Sequence, residues 1–405
     1  MKCGLLGRKL GHSYSPQIHA MLGEYSYELF EVEPEMLEDF LKNGDHHGIN
    51  VTVPYKKAVI PYLDELTPIA EKLGAVNTIV RRGGKLIGHN TDYFGFQMLL
   101  DTLPFPVSGK KVLVLGSGGA SNTAVAALRD RGAEVTVISR TGENNYGTLH
   151  LHSDAQLIVN TTPVGMYPMT GESPLELSVF TALQGVVDVI YNPARTKLLL
   201  DAEKIPGVAC VNGLLMLVAQ AKEAAEWFTG IPIADDRIQT ILNTLEKRMQ
   251  NIILIGMPGC GKSTIGKILA QKTGKRFADP DEMIVKLSGK TIPQIFAEDG
   301  EMVFRDLETK VLAELGKQSG LVIATGGGCV TIAENYDLLH QNGTIFWIQR
   351  DIATLPTQGR PLSQEKKLEE MYRIREPMYR SFMDRCICNN GLPEDAADRI
   401  LEVFL

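Results

Sequence analysis

A short pattern of buried strand, glycine-rich turn and helix occurs twice in the sequence and sets the tightest limit on its fold. The pattern begins at Val112 in VLVLGSGGASNTAVAAL and at Ile252 in IILIGMPGCGKSTIGKILA. In such a unit the turn brings backbone N–H groups to the N-terminus of the helix, where phosphate groups bind. The two copies lie about 140 residues apart, which is near the size of one domain. The sequence therefore predicts two nucleotide-binding domains.

Short aliphatic runs between helical stretches predict the class of the fold. Continuous runs of this kind indicate strands that are buried on both faces, as in parallel sheets covered by helices. The chain has 405 residues, which is enough for about two or three domains. These features predict an α/β protein. The runs span residues 112–115, 135–138, 157–159, 186–190, 252–255, 321–324 and 345–348.

Composition and charge exclude several classes of protein. Apolar residues make up 44% and charged residues 22% of the chain, so a disordered or fibrous protein does not fit. The net charge of −7 does not attract nucleic acid, and any bound anion needs local basic residues. Six scattered cysteines form no C-x-x-C pair, and no apolar run reaches the roughly 20 residues of a membrane helix. We therefore expect a cytoplasmic monomer or homodimer without a membrane or nucleic-acid partner.

The first turn predicts a dinucleotide site. Its glycines allow backbone N–H groups to approach a pyrophosphate, although Ser121 stands where the G-x-G-x-x-G pattern has its last glycine. The next strand ends in a guanidinium and two hydroxyls instead of the acid found in NAD-binding units, and this set suits the 2′-phosphate of NADP. The alternative is an ordinary glycine-rich turn followed by a surface arginine. The candidate NADP residues are Gly116, Ser117, Gly118, Gly119, Ala120, Ser139, Arg140 and Thr141.

The second turn matches a stricter pattern, G-x-x-x-x-G-K-[ST], from Gly256 to Ser263. It follows a predicted strand and precedes a predicted helix, as a P-loop requires. Backbone N–H groups would surround the phosphates of ATP, the Lys262 ammonium would reach the β and γ groups, and the Ser263 hydroxyl would bind Mg²⁺. The candidate ATP residues are Gly259, Cys260, Gly261, Lys262, Ser263 and Thr264.

Seven further motifs identify the first half by resemblance. They are HSYSP (12–16), GINVTVPYK (48–56), AVNT (75–78), GHNTD (88–92), NTTPVGM (160–166), YNPART (191–196) and NGLLMLVAQA (212–221). With these motifs in family order, nearly all of residues 1–245 closely resembles shikimate dehydrogenase.

The resemblance implies an activity and a set of site residues. The family reduces the C3 ketone of 3-dehydroshikimate with NADPH, so Lys56 is implied as the proton donor, and Asp92 as the group that orients it and binds a ring hydroxyl. His12 is expected to make a structural hydrogen bond. The implied substrate contacts are Ser13 and Ser15 for the carboxylate and Thr52, Asn77, Tyr191 and Gln220 for the ring, and Val189 and Gly213 correspond to positions near the nicotinamide.

Five motifs in the second half resemble shikimate kinase, in order, over residues 250 to about 385. They are FADPDEMI, GEMVFRDLE, TGGG, GRPL and REPMY. The resemblance implies that Arg305 and Arg375 bind the substrate carboxylate, since a guanidinium can chelate it with two hydrogen bonds. It further implies that Asp281 binds the ring hydroxyls and is the base for the 3-hydroxyl, and that Asp279 supports Mg²⁺ through water. The backbone of Gly327 would approach the substrate, and Arg360, on a mobile lid, would contact ATP and the transferring phosphate.

Two segments are shorter than the family patterns. The stretch GENNYGTLHLHSDAQ follows Thr141 where shikimate dehydrogenases usually have a longer segment with a helix, so the outer wall of the adenosine site and the strictness of the NADP preference stay open. The lid DIATLPTQGRPLSQEKK is short and lacks an arginine shortly before Arg360. We therefore expect altered recognition of the ATP base, with activity retained.

Together the motifs predict a bifunctional enzyme that reduces 3-dehydroshikimate with NADPH and phosphorylates shikimate with ATP. Two α/β domains are predicted: a dehydrogenase at residues 1–248 and a P-loop kinase at residues 249–405. The dehydrogenase is predicted to have a substrate lobe at about 1–100 and 221–248 and a Rossmann-like NADP-binding lobe at about 101–220. Two alternatives stay open. In the first, one half is only a nucleotide-binding or regulatory module. In the second, the first half oxidises quinate with NAD.

Overall fold

The computed structural model describes residues 1–11, 13–355 and 365–404 and contains three sheets, two of which include the strands formed by the aliphatic runs. Two of the sheets belong to unit 1, which consists of Met1–Val164, Ser173–Tyr191 and Asp201–Thr244. The third belongs to unit 2, which consists of Gly165–Glu172, Asn192–Leu200 and Leu245–Leu405. The domain boundary near residue 249 stays a prediction, because unit 2 also contains two short segments from earlier in the chain, Gly165–Glu172 and Asn192–Leu200.

The first sheet of unit 1 is mixed. Its strands are β1 (Lys2–Gly7), β2 (Ser26–Glu31), β3 (Gly48–Val51), β4 (Glu65–Leu66), β5 (Thr78–Arg82) and β6 (Lys85–His89). They lie in the order β2–β1–β3–β5–β6–β4, and β5 runs antiparallel to both of its neighbours. Gly83 and Gly84 join β5 to β6 with φ of 57° and 81°, values that a two-residue hairpin turn needs. The aliphatic runs do not extend to this region, so they do not predict the hairpin.

The second sheet of unit 1 is entirely parallel, as the runs predict. Its strands are β7 (Lys111–Leu115), β8 (Glu134–Ile138), β9 (Leu157–Asn160), β10 (Gly185–Asp188) and β11 (Ala209–Val211). They lie in the order β11–β10–β9–β7–β8, so the chain leaves β7 toward β8 on one side and reaches β9 on the other. Ligands bind beyond the carboxyl ends of strands at such a switch in strand order. The first glycine-rich turn lies at this place.

Helices α5 and α8 of unit 1 approach each other unusually closely. The helices of this unit are α1 (Ser15–Leu22), α2 (Leu37–Asn43), α3 (Tyr55–Ala58), α4 (Pro68–Leu73), α5 (Asp92–Leu100), α6 (Gly119–Asp130) and α8 (Leu214–Thr229), while α7 (Lys197–Glu203) and α9 (Asp236–Met249) extend into both units. A Cβ atom at Gly95 of α5 would lie 2.7 Å from the carbonyl oxygen of Met216 on α8. The lack of a side chain at Gly95 therefore sets the separation of the two helices.

Unit 2 contains a five-stranded parallel sheet, again as predicted. Its strands are β12 (Asn251–Ile255), β13 (Arg276–Ala278), β14 (Leu321–Ala324), β15 (Gly343–Gln349) and β16 (Arg385–Cys388). They lie in the order β13–β14–β12–β15–β16, and every residue of the central strand β12 is buried. The P-loop follows this strand directly.

Helices cover the sheet of unit 2. They are α10 (Lys262–Thr273), α11 (Pro280–Ser288), α12 (Ile292–Gln294), α13 (Gly300–Gly316), α14 (Glu334–His340), α15 (Glu365–Phe382) and α16 (Pro393–Phe404). The core between helices and sheet includes fully buried Trp347 and Tyr379, whose rings stack with centroids 5.7 Å apart. Asn192–Leu200 packs within the same unit, where the Arg195 N–H donates to the Gln341 carbonyl at 2.8 Å. Along the described part of the chain, no helix combines the length and the apolar composition needed to cross a membrane.

Substitution of Gly95 by alanine should destabilise unit 1, because the added methyl group meets the backbone of α8 at 2.7 Å. Overpacking of this kind costs about 1–3 kcal/mol of unfolding free energy. Urea denaturation of the full chain, followed by circular dichroism, measures the change. Gly119→Ala is the matched control, since its Cβ would meet no atom within 4 Å. Equal stability of the two variants would show that the helix contact at Gly95 has room to relax.

Candidate active sites

Lys56 and Asp92 form an ion pair in unit 1. Lys56 lies on α3, shortly after β3, and Asp92 is the first residue of α5, where the partial positive charge of a helix N-terminus favours a carboxylate. Lys56 Nζ donates to Asp92 Oδ2 at 2.5 Å, and the side chains are only 24% and 13% exposed. The structure thus brings together the two residues predicted as the catalytic pair, with an ammonium proton donor held beside a carboxylate.

A network of buried amides and hydroxyls adjoins this pair. The Thr91 N–H donates to Asn77 Oδ1 at 2.7 Å, and Asn77 Nδ2 donates to Thr91 Oγ1 at 3.0 Å. Thr91 Oγ1 donates in turn to Gln220 Oε1 of α8 at 3.3 Å. Because Thr91 immediately precedes Asp92, the network ties the position of the carboxylate to two separate segments of the chain.

Asn50 of β3 extends the network and was not among the predicted residues. Its Nδ2 donates to Thr78 Oγ1 at 3.2 Å, and its Oδ1 accepts from the Tyr27 hydroxyl at 2.8 Å. Asn50 lies in the recognised GINVTVPYK motif, so the motif carried the signal. Tyr27, on β2, lies in no motif and could not be found from the sequence.

The ion pair opens onto a cavity of about 280 Å³, near the lower end of the range for small-molecule pockets. Every substrate residue predicted for the first half lines it: Ser13, Ser15, Thr52, Lys56, Asn77, Asp92, Tyr191 and Gln220. Burial raises the pKa of the Tyr191 hydroxyl, which keeps it a hydrogen-bond donor. The walls also include Leu5, Val51, Met216 and Leu217, which limit the access of water. His12 lies outside the described residues.

The residues predicted near the nicotinamide line the same cavity. Val189 and Gly213 lie on its wall together with Ala120 of α6. Gly213 packs so closely that a Cβ atom there would lie 1.9 Å from the Val189 carbonyl oxygen. A glycine is therefore required at 213, and it brings the N-terminus of α8 against the carboxyl end of the parallel sheet.

A second cavity of unit 1, about 670 Å³ in volume, lies at the first glycine-rich turn. Its lining includes Gly116, Ser117, Gly118, Ser139 and Arg140. Among the described lining residues none is acidic, so the guanidinium of Arg140 sets the sign of the charge. The other predicted NADP residues do not line it: Gly119 opens α6, Ala120 lines the smaller cavity, and the carbonyl of Thr141 accepts a hydrogen bond from the Ser139 hydroxyl.

The backbone of this turn fits a dinucleotide. Gly116 has a φ of 106°, and a Cβ atom there would lie 3.0 Å from Thr161 Oγ1. No side chain caps the N-terminus of α6 at Gly118, and a Cβ at Gly118 would meet no atom within 4 Å. The first N–H groups of the helix are therefore open to a pyrophosphate, and Arg140 suits a 2′-phosphate.

The short segment after Thr141 builds part of the wall of this cavity. Asn145 caps a 3₁₀ helix, Tyr146–His152, by accepting from the Gly147 N–H at 2.9 Å, and its own N–H donates to Thr148 Oγ1 at 2.9 Å. Tyr146 lines the cavity together with Arg140, and burial raises the pKa of its hydroxyl. Tyr146 was not among the predicted residues, although the capping residues Asn145 and Thr148 beside it were a usable signal.

The P-loop of unit 2 lines a cavity of about 430 Å³. Gly259 and Gly261 have φ of 85° and 102°, which favour glycine, and no side chain caps α10 at Gly261. Lys262 is buried and donates to the carbonyl oxygens of Gly256 and Met257 at 2.8 and 3.0 Å. Of the predicted ATP residues, Gly259, Gly261, Lys262, Ser263 and Thr264 line the cavity, whereas Cys260 is 1% exposed and does not. This open helix N-terminus fits the phosphates of ATP.

Two acids predicted after β13 lie beside the P-loop. Asp279 and Asp281 both line the cavity, and Ser263 Oγ donates to Asp279 Oδ2 at 3.4 Å. In the described parts of the chain, no three His, Cys, Asp or Glu side chains form a group that could hold a metal ion. Mg²⁺ does not need such a group, because it keeps several waters and takes one or two protein ligands together with substrate phosphates. Ser263 and Asp279 therefore fit Mg²⁺.

Arg305 is held by a fully buried acid. Its Nη1 donates to Glu308 Oε2 at 2.6 Å, and Glu308 has no exposed surface. A Cβ atom at Gly328 would lie 2.1 Å from Arg305 Nη2, so the guanidinium rests against a bare backbone. Burial raises the pKa of the Glu308 carboxyl, and within the described residues its Oε1 has no hydrogen-bond partner. Glu308 lines the cavity and was not among the predicted site residues.

Arg375 and Gly327 meet on the other side of the cavity. Arg375 Nη1 donates to the Gly327 carbonyl at 3.2 Å, and the buried Tyr379 hydroxyl donates to the same oxygen at 2.5 Å. The structure therefore brings Asp281, Arg305, Gly327 and Arg375 together around one cavity, as predicted. Tyr379 belongs to the REPMY motif, but its contact with a residue 52 positions earlier could not be predicted. Arg360 and the centre of the lid lie outside the described residues.

Comparison with known proteins agrees with this geometry. A family model for shikimate kinase matches residues 258–405, and one for the shikimate dehydrogenase substrate binding domain matches residues 5–79. The shikimate dehydrogenase (NADP(+)) of Clostridium perfringens is 36% identical over 267 aligned residues, which cover 60% of this chain and 98% of the relative.

Two solved structures extend the comparison. A chorismate mutase/shikimate 5-dehydrogenase fusion protein from Clostridium acetobutylicum has a TM-score of 0.58 and 37% identity, over 61% of this chain and 97% of that one. Shikimate 5-dehydrogenase from Thermus thermophilus, solved with NADP(H) and shikimate, has a TM-score of 0.54 and 32% identity, over 60% and 99%. The resemblance to both families is confirmed. The chain belongs to the shikimate dehydrogenase family and continues into a shikimate kinase domain.

Proposed function

We propose that the chain catalyses two consecutive reactions: the NADPH-dependent reduction of 3-dehydroshikimate to shikimate and the ATP-dependent phosphorylation of shikimate to shikimate 3-phosphate. The observation that carries the proposal is that each unit gathers the groups for one reaction around one cavity. The product of the first reaction is the substrate of the second, so the assignments of the two halves support each other.

In the reduction, bound NADPH supplies a hydride to C3 of the substrate. The Lys56 ammonium donates a proton to the ketone oxygen as negative charge develops there. Asp92 accepts from Lys56 Nζ at 2.5 Å, directs it toward the ketone, and accepts from a neighbouring ring hydroxyl. The Asn77–Thr91–Gln220 network keeps the carboxylate in place while the proton moves.

The substrate carboxylate is assigned to the serines of the HSYSP motif. The Ser15 N–H donates to Ser13 Oγ at 3.2 Å, so the two residues form a local turn at the cavity. Ser15 is also the first residue of α1, and a helix N-terminus favours a negative charge. Two hydroxyls and this end of the helix therefore bind the anion without a further basic side chain.

In the phosphorylation, Asp281 accepts the proton of the 3-hydroxyl, and Lys262 donates to the β and γ phosphates. Ser263, and Asp279 through water, would hold Mg²⁺, which neutralises charge on the phosphates. Arg305 and Arg375 bind the shikimate carboxylate, and Glu308 positions Arg305 at 2.6 Å. Stabilisation of charge is the main contribution of a protein to phosphoryl transfer.

The chemistry of the ligands agrees with the charge of the protein. The proposed substrates and nucleotides are all anions, and local basic side chains, among them Arg140, Lys262 and Arg305, lie at the proposed sites in a chain of net charge −7. Six free cysteines fit a reducing cytoplasm. We therefore extend the proposal to a cytoplasmic monomer or homodimer that binds neither nucleic acid nor membrane.

The two alternative functions have less support. A module that only senses ATP has no need for two arginines and a buried acid around a carboxylate site, yet Arg305, Arg375 and Glu308 all line the cavity. An NAD-dependent quinate dehydrogenase would carry an acid at the ribose, and this position is occupied by Arg140.

The tandem reaction tests the proposed function. Full-length protein supplied with 3-dehydroshikimate, NADPH, ATP and Mg²⁺ should form shikimate 3-phosphate, detected by mass spectrometry. Lys56→Met should lower dehydrogenase turnover by about 10²- to 10⁴-fold, because the proton donor is lost, and should leave kinase activity intact. The control is Lys57→Met at the exposed neighbouring lysine, which should change neither rate. Equal loss of both activities in Lys56→Met would contradict two separate sites.

Glu308→Gln should raise the KM for shikimate by about tenfold and leave the KM for ATP nearly unchanged, because Arg305 loses the charge that orients it. Steady-state kinase kinetics measure both constants. Glu301→Gln is the control, since Glu301 contacts the same guanidinium at 3.1 Å but is 59% exposed. A parallel rise in both KM values would point to general damage to unit 2 instead of a carboxylate site.

Arg140→Ala should raise the KM for NADPH by about tenfold to a hundredfold, because a charge-assisted bond to the 2′-phosphate is lost, and should leave the KM for NADH unchanged. The comparison requires dehydrogenase kinetics with both cofactors. Arg129→Ala, at an exposed arginine of α6, serves as the control. An equal effect on both cofactors would overturn the assignment of Arg140 to the 2′-phosphate.

A further inference from the structure

Asn389 lies at the carboxyl end of β16, outside every motif of the kinase resemblance. Its backbone N–H donates to the Gln349 carbonyl at 2.7 Å, so it continues the pairing of β16 with β15. Its side chain is only 1% exposed. A buried amide at this place needs hydrogen-bond partners, because an unpaired buried polar group is costly.

The side chain of Asn389 finds its donor contact in the P-loop. Its Nδ2 donates to the carbonyl oxygen of Cys260 at 2.7 Å, across 129 positions of sequence. A Cβ atom at Gly261 would lie 2.5 Å from the same Nδ2. Two consecutive residues of the loop therefore rest against one amide group.

This contact fixes the orientation of a peptide unit. The peptide bond between Cys260 and Gly261 is planar, and in the trans form its C=O and N–H point in opposite directions. With the Cys260 oxygen held by Asn389, the Gly261 N–H must point away from Asn389. Gly261 lines the phosphate cavity, and because a glycine moves easily between conformations, the contact with Asn389 restrains it at its φ of 102°.

Within the described residues, only one end of the Asn389 amide group is hydrogen-bonded. Asn389 Oδ1 is buried and has no hydrogen-bond partner among the described residues. A polar side chain kept only to fill the core would gain little from this arrangement, since half of its amide is unsatisfied. The contribution of the Asn389 amide to the structure is therefore its hydrogen bond to the Cys260 carbonyl oxygen.

We infer that Asn389 is a positioning residue of the kinase: it holds the Cys260–Gly261 peptide so that the P-loop presents its N–H groups to the phosphates of the nucleotide. The inference rests on the proposed kinase function. It assigns to the end of the last strand a part in nucleotide binding that the P-loop pattern does not contain.

Asn389→Asp tests the inference, because it keeps the shape of the side chain and replaces the donor by an acceptor. At pH 8 its Kd for MgADP, measured by titration calorimetry on the full chain, should rise by about tenfold, as expected for the loss of one hydrogen bond. The Kd for shikimate and the dehydrogenase rate should not change. The matched control is Asn390→Asp, which adds the same charge one residue later and keeps the oxygen that accepts from the Asp351 N–H at 2.9 Å.

Asn389→Leu removes the donor without adding a charge and should also weaken MgADP selectively. The inference is overturned if both variants bind MgADP as tightly as Asn390→Asp does. It is also overturned if their affinity for shikimate falls as much as their affinity for MgADP, because this result would indicate general unfolding of unit 2. Wild-type protein that binds MgADP but transfers no phosphate to shikimate would contradict the proposed function and leave the nucleotide role of Asn389 measurable.

Discussion

A cation held beside a shielded carboxylate is the interaction on which both substrate sites depend. Lys56 is held by Asp92 at 2.5 Å, and Arg305 by Glu308 at 2.6 Å. Such a pair is favourable only with good geometry and further hydrogen bonds, because both charges give up hydration. Further contacts support each pair: Thr91 ties the segment of Asp92 to Asn77, and Arg305 Nη2 donates to Glu301 Oε1 at 3.1 Å. In an acidic chain, this pairing fixes the positions of the cations that we propose act on the substrates.

The two nucleotide sites share a different principle. Both use a glycine-rich turn and a helix N-terminus without a side-chain cap, so that backbone N–H groups remain for phosphate. Their supports differ. Gly116 packs against Thr161 after β9, whereas the peptide before Gly261 is held by Asn389 after β16. In the first case the supporting residue follows the strand next to β7, and in the second it follows β16, which β15 separates from β12 in the same sheet.

Local patterns in the sequence predicted a large part of this structure. The aliphatic runs became parallel strands, the P-loop spacing placed Lys262 at the start of α10, and the family motifs gathered their residues around two cavities. Contacts between distant segments could not be predicted. Tyr27 and Asn389 form hydrogen bonds with segments distant in sequence, Tyr146 lines a cavity with Arg140, and Gly95 packs against a helix far along the chain.

The distribution of thiols has a practical consequence for studies of the kinase domain. Cys260 of the P-loop and Cys329 are both buried, so neither side chain is accessible to a reagent, and burial raises the pKa of Cys329 to about 12. Cys386 and Cys388 are exposed on β16, the strand that leads into Asn389. Because neither of these two side chains lines the cavity at the P-loop, a fluorescent maleimide attached to either would lie outside that cavity.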